Sequence, residues 1–264
     1  MILVGLALVA IGVADLCAGG LGGEIASGRK AVAATVIALV GASIGLWVTS
    51  TADAPAAAAL LATVLIASFA WSVLRLPRFR ANRPGLAIIA LVAPLGILAA
   101  SSGSLKAAPS VPAMSWLASL PFPAIGEIGM ERFCLTVGAA IALMATANGI
   151  VRAVLASAGT LEQSQNRLRG GRLIGAMERL MIFGLALAGE PTAAALIISA
   201  KSILRFPEIS RTAQREDDHP SQEENSDNRS PTQPPAVDAV TEYYLLGSLS
   251  SWMLALAPII LLRN

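Results

Sequence analysis

The sequence predicts an all-α fold, a polytopic transmembrane bundle of about eight spanning helices. Of the 264 residues, 55% are hydrophobic and only 14% are charged, whereas about a quarter of the residues in a soluble domain are charged. Several apolar runs also approach the roughly 20 residues that a helix needs to cross a bilayer. These observations exclude a water-soluble globular domain.

Five spans are predicted in the N-terminal membrane region, residues 1–157. They lie at about Met1–Ala18, Ala31–Thr49, Ala56–Leu74, Gly85–Ser101 and Ile125–Ala156. The first run has no basic n-region, so we expect a retained helix and not a cleaved signal peptide. Residues 102–123 are rich in Ser and Pro and contain Trp116, which favours an interfacial loop, because proline and unpaired backbone groups are costly in hydrocarbon.

Residues 158–206 are predicted to form a cytoplasmic link and a helical hairpin. The apolar runs 173–188 and 192–206 are separated by Gly189, Glu190 and Pro191. Glycine commonly ends a helix, and proline suits the first position of the next one. Because each arm is short, a re-entrant hairpin that never crosses the membrane is the alternative to two spans.

The remaining residues are predicted to form a loop and a last span. Residues 207–240 hold many acidic and polar side chains and almost no apolar ones, so we expect a disordered acidic loop in the cytoplasm. The region 241–264 contains the final span, Tyr243–Leu262.

The basic residues predict the orientation of the chain, because Lys and Arg are retained in cytoplasmic loops. With eight spans and both termini outside, fourteen basic residues lie in inner loops and three in outer segments. The bias predicts that both ends of the chain lie outside. Arginine outnumbers lysine 16 to 3 and alanine is abundant, which indicates a bacterial protein, so the expected location is a bacterial plasma (inner) membrane. A re-entrant hairpin leaves the acidic loop on the same side, so the count does not distinguish the two alternatives.

Two charges in the hairpin are predicted to form an ion pair. Glu178 lies eleven residues before Gly189, and Lys201 lies eleven residues after Glu190. At about 1.5 Å per residue they stand at equal depth. An unpaired charge at that depth costs about 2.5 to 3.5 kcal/mol on insertion scales, so pairing is expected.

Three further charges belong to the same candidate site. Arg179 points about 100° away from Glu178 and needs another partner, while Lys201 and Arg205 share one helix face. Glu242 is a candidate partner for Arg205 or Arg179. The candidate binding site therefore comprises Glu178, Arg179, Lys201, Arg205 and Glu242.

The charged group has three alternative interpretations. The first is a clamp between helices. The second is an anion-binding site for a lipid phosphate or small solute, formed by the surplus positive charge. The third is a Ser/Lys dyad at Lys201 with Ser199 or Ser202, which neighbouring positions on one helix disfavour because their side chains do not face each other. We therefore predict no catalytic residue.

The composition gives little support for a metal site, a Ser-His-Asp triad or nucleic-acid binding. The single histidine, His219, and the two cysteines, Cys17 and Cys134, offer neither a metal site nor a Ser-His-Asp triad. No cofactor and no metal are predicted. The formal charge of +2 is small and dispersed, so nucleic acid is not an expected partner.

Weaker features concern single positions within or near the spans. Asp15 is expected near the inner end of the first span, with a buried polar role as the less favoured reading, and Thr146 and Asn148 are expected to form hydrogen bonds between helices. The Gly41 and Gly45 pair fits a close helix contact. Four arginines are expected to meet anionic headgroups: Arg75, Arg78, Arg80 and Arg83.

The C-terminal motifs resemble an uncharacterised bacterial family of multi-pass membrane proteins. Its pattern is a Glu-Arg helix, a Lys-Ser…Arg-Phe helix and a Glu-Tyr…Gly-Ser-Leu helix. The matching residues are Gly171-Arg172-Leu173-Ile174-Gly175 with Glu178-Arg179, Ala200-Lys201-Ser202 with Arg205-Phe206, and Glu242-Tyr243 with Gly247-Ser248-Leu249. The resemblance covers roughly the last 95 residues and implies that the five charges form one recurrent module, without implying an activity.

The sequence thus predicts a non-enzymatic membrane scaffold or sensor component held by a buried ion-pair network. Its expected partners are membrane lipids and a membrane or cytoplasmic protein that binds residues 207–240. The alternative is a small-solute or lipid transporter with a cytoplasm-facing anion contact at Lys201 and Arg205.

Overall fold

The structure, a computed structural model, describes residues 1–20, 27–76, 84–121, 128–158, 171–201, 203 and 236–263. Of residues 171–172, 236–244 and 263 it describes only the backbone. The described residues contain ten helices and one small sheet. The helices are α1 (Ile2–Gly19), α2 (Gly28–Thr49), α3 (Ala54–Leu74), α4 (Pro84–Ser101), α5 (Val111–Ala118), α6 (Gly129–Met144), α7 (Thr146–Ser157), α8 (Gly171–Leu187), α9 (191–201) and α10 (Ala236–Arg263).

The predicted all-α class is confirmed, and the apolar helices indicate a membrane location. Within the described residues, five helical stretches are long and apolar enough to cross a bilayer: α1 to α4 and Leu245–Leu262 of α10. The bent pair α6 and α7 makes a sixth if it is counted as one span. Helix α8 has 17 residues and α9 is shorter, so the total of eight spans stays a prediction.

The fifth predicted span is not one continuous helix. It breaks at Ala145, whose φ of −108° departs from the usual helical value, and α6 and α7 meet at a bend of 49°. The prediction of an unbroken helix was wrong, since no Pro or Gly marks the break in the sequence. The side chains of Arg179 and Asn148 bond to the last carbonyl groups of α6 at this point.

The segment after α4 is more ordered than the predicted loop. Strand β1 (Ser50–Ala52) pairs antiparallel with β2 (Ala107–Pro109), and α5 follows with Ser110 as its N-cap. Three-residue strands of small side chains carry no periodic signal, so the sequence did not reveal them. The sheet ties the segment after α4 to the connection between α2 and α3.

The last helix begins at Ala236, before the predicted start of the span at Tyr243. The apolar run marked only the part long enough to cross lipid, whereas the helix continues through the more polar residues that precede it. Most of the predicted acidic loop, positions 207–235 of 207–240, lies outside the described residues.

Helix α1 is the central helix of the bundle. Inside the protein, 61% of its apolar stretch is buried, compared with 11% to 39% for the other four candidate spans. A helix that is apolar on all sides is suited to such a position. It contacts α2, α3 and α6, and its Asp15 is its one charged residue.

Glycines bring α1 and α6 into backbone contact. A Cβ built on Gly5 would lie 2.6 Å from the backbone carbon of Cys134, and one on Gly138 would lie 2.5 Å from the carbonyl oxygen of Gly5. The expected close contact at Gly41 is looser, since its nearest atom is Ala10 Cα at 3.8 Å. The closest helix approach therefore depends on Gly5 and Gly138.

We expect Gly138→Ala to lower the free energy of unfolding by about 1 to 3 kcal/mol, because the new methyl group has no space between α1 and α6. The matched control is Gly96→Ala, since a Cβ at Gly96 meets nothing within 4 Å. The control should stay within about 1 kcal/mol of the parent protein. Unfolding of both variants in detergent measures the difference, and equal stability would contradict the close contact.

Candidate functional site

The hairpin turn has the geometry expected from Gly189, Glu190 and Pro191. Gly189 adopts a φ of +80°, its N–H donates to Ala186 O, and the N–H of Glu190 donates to Leu185 O. These two bonds form a Schellman motif, which ends α8. Pro191 then opens the helix 191–201, so the two arms lie side by side, as predicted.

The predicted ion pair is present. Lys201 Nζ donates to Glu178 Oε2, and the other carboxylate oxygen accepts a hydrogen bond from Trp252 Nε1 at 3.1 Å. Glu178 is 8% exposed. Both oxygens of this carboxylate are therefore engaged, and three helices, α8, α9 and α10, are joined at this residue.

Arg179 turns away from Glu178, as expected, and bonds to neutral acceptors. Its Nε donates to Leu143 O at 3.0 Å, its Nη1 to Ser251 Oγ at 3.1 Å and its Nη2 to Asn148 Oδ1. Positions 242 and 251 are separated by about 13 Å along α10. The three side-chain nitrogens of Arg179 are thus engaged by other residues, and the pairing of Glu242 with Arg205 or Arg179 stays a prediction, because the Glu242 side chain lies outside the described residues.

The helix break explains why a main-chain carbonyl accepts from Arg179. Leu143 lies in the last turn of α6, where carbonyl groups lose their intrahelical partners. The Asn148 amide group also donates to Met144 O at 3.3 Å. The carboxyl end of α6 carries a partial negative charge, which stabilises the guanidinium group placed there.

The structure brings together three of the five predicted site residues: Glu178, Arg179 and Lys201. Arg205 lies outside the described residues, as do the side chain of Glu242 and the predicted link at 159–170. The pairing of Arg205 with Glu242 stays a prediction. Among the described residues Thr146 Oγ1 has no interhelical partner, whereas Asn148 forms its expected bond between helices.

A second buried charge cluster was missed by the sequence reading. Asp15 Oδ1 pairs with Arg75 Nη2, and Asp15 Oδ2 accepts from Trp71 Nε1 at 2.9 Å. Asp15 is 3% exposed and Arg75 is 7% exposed. The favoured readings of Asp15 as a residue simply near a helix end, and of Arg75 as a headgroup contact, are both wrong, because each residue is the partner of the other.

The two clusters share one design and flank the same helix. In each, a carboxylate accepts from a Trp indole and from a basic side chain. Arg75 also lies over the Trp71 ring, 4.2 Å from its centroid. A Cβ on Gly149 would lie 2.6 Å from Arg75 Nη1, so only the absence of a side chain at position 149 leaves space for this arginine. The adjacent Asn148 bonds to Arg179 of the other cluster.

We call these groups the polar layer. It contains side chains from α1, α3, α7, α8, α9 and α10: Asp15, Trp71, Arg75, Asn148, Glu178, Arg179, Lys201, Ser251 and Trp252. The described charges are two carboxylates and three cations. Each carboxylate is paired with one cation, so Arg179 supplies an excess positive charge.

The predicted Ser/Lys dyad is not formed by Ser199. Its Oγ donates to Ala195 O of its own helix and is exposed, so it does not pair with Lys201, whereas Ser202, the other candidate, lies outside the described residues. In the part of the chain that the structure describes, no three His, Cys, Asp or Glu residues are grouped to hold a metal ion. The contacts of the polar layer pair each described carboxylate with one cation and join helices.

Comparisons with protein-family models, with curated proteins and with solved structures gave no match. The resemblance of the C-terminal motifs to a membrane protein family therefore stays a prediction.

Substitution of Asp15 tests the newly found pair. Asp15→Asn removes the negative charge that Asp15 presents to the buried Arg75 and should lower the free energy of unfolding by about 3 to 5 kcal/mol. Asp53→Asn is the matched control, because Asp53 caps α3 by accepting from Ala56 N at 3.0 Å and Asn caps a helix equally well. Equal stabilities of the two variants in detergent would show that Asp15 is not paired.

A double-mutant cycle tests the hairpin pair. Glu178→Gln or Lys201→Met alone should cost about 2 to 4 kcal/mol, less than for a fully buried pair because the Lys201 side chain is 20% exposed. The double variant should be milder than either single variant. Glu190→Gln is the control: it lies in the exposed turn of the same hairpin and should leave the free energy of unfolding unchanged. Strictly additive free energies would contradict the pairing.

Proposed function

We propose that the protein is a non-enzymatic scaffold or sensor component of a bacterial inner membrane. The single observation that carries this proposal is that the charges of the polar layer are used within the protein. Both oxygens of Glu178 and all three nitrogens of Arg179 are engaged by other helices. Groups held in this way fix helix positions and are poorly placed to react with a substrate.

The proposed topology has eight spans with both termini outside. The helix directions support it: Gly5 and Gly12 of α1 face Cys134 and Ile141 of α6 in the same order, so these two helices run parallel. Basic residues at the start of α2 and at the end of α3 then lie at the opposite end of the bundle from Met1, on the proposed cytoplasmic side.

The proposed partner surface is the acidic segment 207–240, most of which lies outside the described residues. Its composition supports a role in binding, because acidic segments with few apolar residues often become ordered only on a partner. In this proposal the bundle anchors the segment at the membrane. The resemblance to a membrane protein family fits such a role without adding an activity.

The alternative proposal is a transporter for a small solute or lipid with an anion contact at Lys201 and Arg205. Two observations favour it. The Lys201 side chain is 20% exposed beside the nearly buried Glu178, and the described polar layer has more cations than carboxylates.

Labelling of single cysteines tests the topology. In a background without Cys17 and Cys134, Ser119→Cys should react with a membrane-impermeant maleimide in intact cells, because it lies at the proposed outer end. Ser27→Cys should react only after the cells are permeabilised. Both positions are exposed, which makes them a matched pair. Labelling of Ser27→Cys in intact cells would contradict the orientation.

Cross-linking in cells and transport in vesicles together separate the two functions. A photoreactive residue at Ser226 should give one dominant cross-linked protein, and replacing the acidic residues of the segment by their amides should abolish it. The purified protein in lipid vesicles should show no anion flux. Flux that Lys201→Met removes, with no cross-link, would support the transporter instead.

A further inference from the structure

The break between α6 and α7 places a helix N-terminus inside the bundle. Helix α7 begins at Thr146, which is 4% exposed, and its N-cap residue Ala145 has no side-chain cap. The first N–H groups of a helix have no intrahelical partner and carry a partial positive charge. An uncapped helix N-terminus is therefore a site suited to an anion.

The hydroxyl group of Thr146 is a second, independent indication of a ligand. Its Oγ1 is buried and has no hydrogen-bond partner among the described residues. Other buried hydroxyls bond to the carbonyl four residues earlier, such as Thr35 to Ala31 O at 3.1 Å and Ser68 to Val64 O. For Thr146 that position is Ala142, on the other side of the break. A buried polar group left without a partner costs about 1 to 3 kcal/mol.

The charge of the polar layer determines the sign of the ligand. Asp15 is paired with Arg75, and Glu178 is paired with Lys201. Within the described residues, the hydrogen bonds of Arg179 all go to neutral groups, one of which is Asn148, two residues after Thr146. An anion at the start of α7 balances this charge, whereas a cation there would add to the excess.

We propose that the N-terminus of α7 binds one small monovalent anion of the size of chloride. The ligands are the Thr146 hydroxyl and the N–H groups of Thr146 and Ala147, since the next N–H, that of Asn148, donates to Ala145 O at 3.2 Å. Arg179 provides the balancing charge nearby. The small size follows from burial, since Thr146 lies between packed helices. The binding site is independent of the scaffold or transport proposal, because a bound anion is compatible with either.

Thermal unfolding in two salts tests this site. The full chain is unfolded in detergent with potassium chloride or with potassium gluconate at the same ionic strength, because gluconate is too large for the site. Chloride at ten times its dissociation constant should raise the midpoint by about 3 to 6 °C. Thr146→Val should lose this rise, and Thr146→Ser should keep it.

Thr35→Val is the matched control, because it removes another buried threonine hydroxyl at which no anion is proposed; it should keep the chloride effect. An equal unfolding midpoint for the parent protein in both salts would overturn the proposal and indicate that a water molecule bonds to the Thr146 hydroxyl group. A full chloride effect in Thr146→Val would place the anion elsewhere. If Thr146→Val does not fold, bromide in crystals of the parent protein should give an anomalous peak within about 3.5 Å of Thr146 Oγ1, and no peak there would overturn the site.

Discussion

A charged side chain inside a lipid-surrounded bundle requires a counter-charge or a set of hydrogen bonds from the protein itself, and this constraint determines how the C-terminal helices are attached. Glu178 joins α8 to α9 through Lys201 and to α10 through Trp252. Arg179, the next residue, joins α8 to the broken end of α6 and to α7. Two adjacent residues thus connect five helices.

The same constraint operates in the N-terminal bundle. Asp15 of the central helix α1 is held by Arg75 and Trp71, both from the end of α3. Helix α7 lies between the two clusters, with Asn148 on one and Gly149 on the other. Pairing within each cluster removes most of the cost of burying charge, and the break in the preceding helix supplies the carbonyl group that Arg179 needs.

The sequence was sufficient for the parts of the fold that depend on one segment. Apolar runs located α1 to α4 because spanning length is a local property, and the spacing around Gly189 and Glu190 placed Glu178 opposite Lys201. Asp15 and Arg75 are 60 positions apart in the sequence, and no local sequence pattern reveals a contact between residues so far apart. Arg75 also looked like one of four similar arginines in a basic connection.

The helix break was equally invisible, because Ala145 is an ordinary helix former and the bend arises where Arg179 and Asn148 satisfy the freed carbonyl groups. Both functional proposals involve this break, because it borders the polar layer and contains Thr146. A bundle whose helices are held together by the polar layer suits an anchor or sensor in the membrane. An anion at Thr146 would balance the excess positive charge of the polar layer.

The indole N–H groups of the four tryptophans provide the most direct test of the polar layer. Trp71 and Trp252 donate to buried carboxylates, whereas Trp47 and Trp116 are 85% and 52% exposed. Nuclear magnetic resonance of indole-labelled protein, with each signal assigned by a Trp→Phe variant, should show Trp71 and Trp252 protected from hydrogen exchange and the other two exchanging rapidly. Rapid exchange at Trp71 and Trp252 would contradict the account.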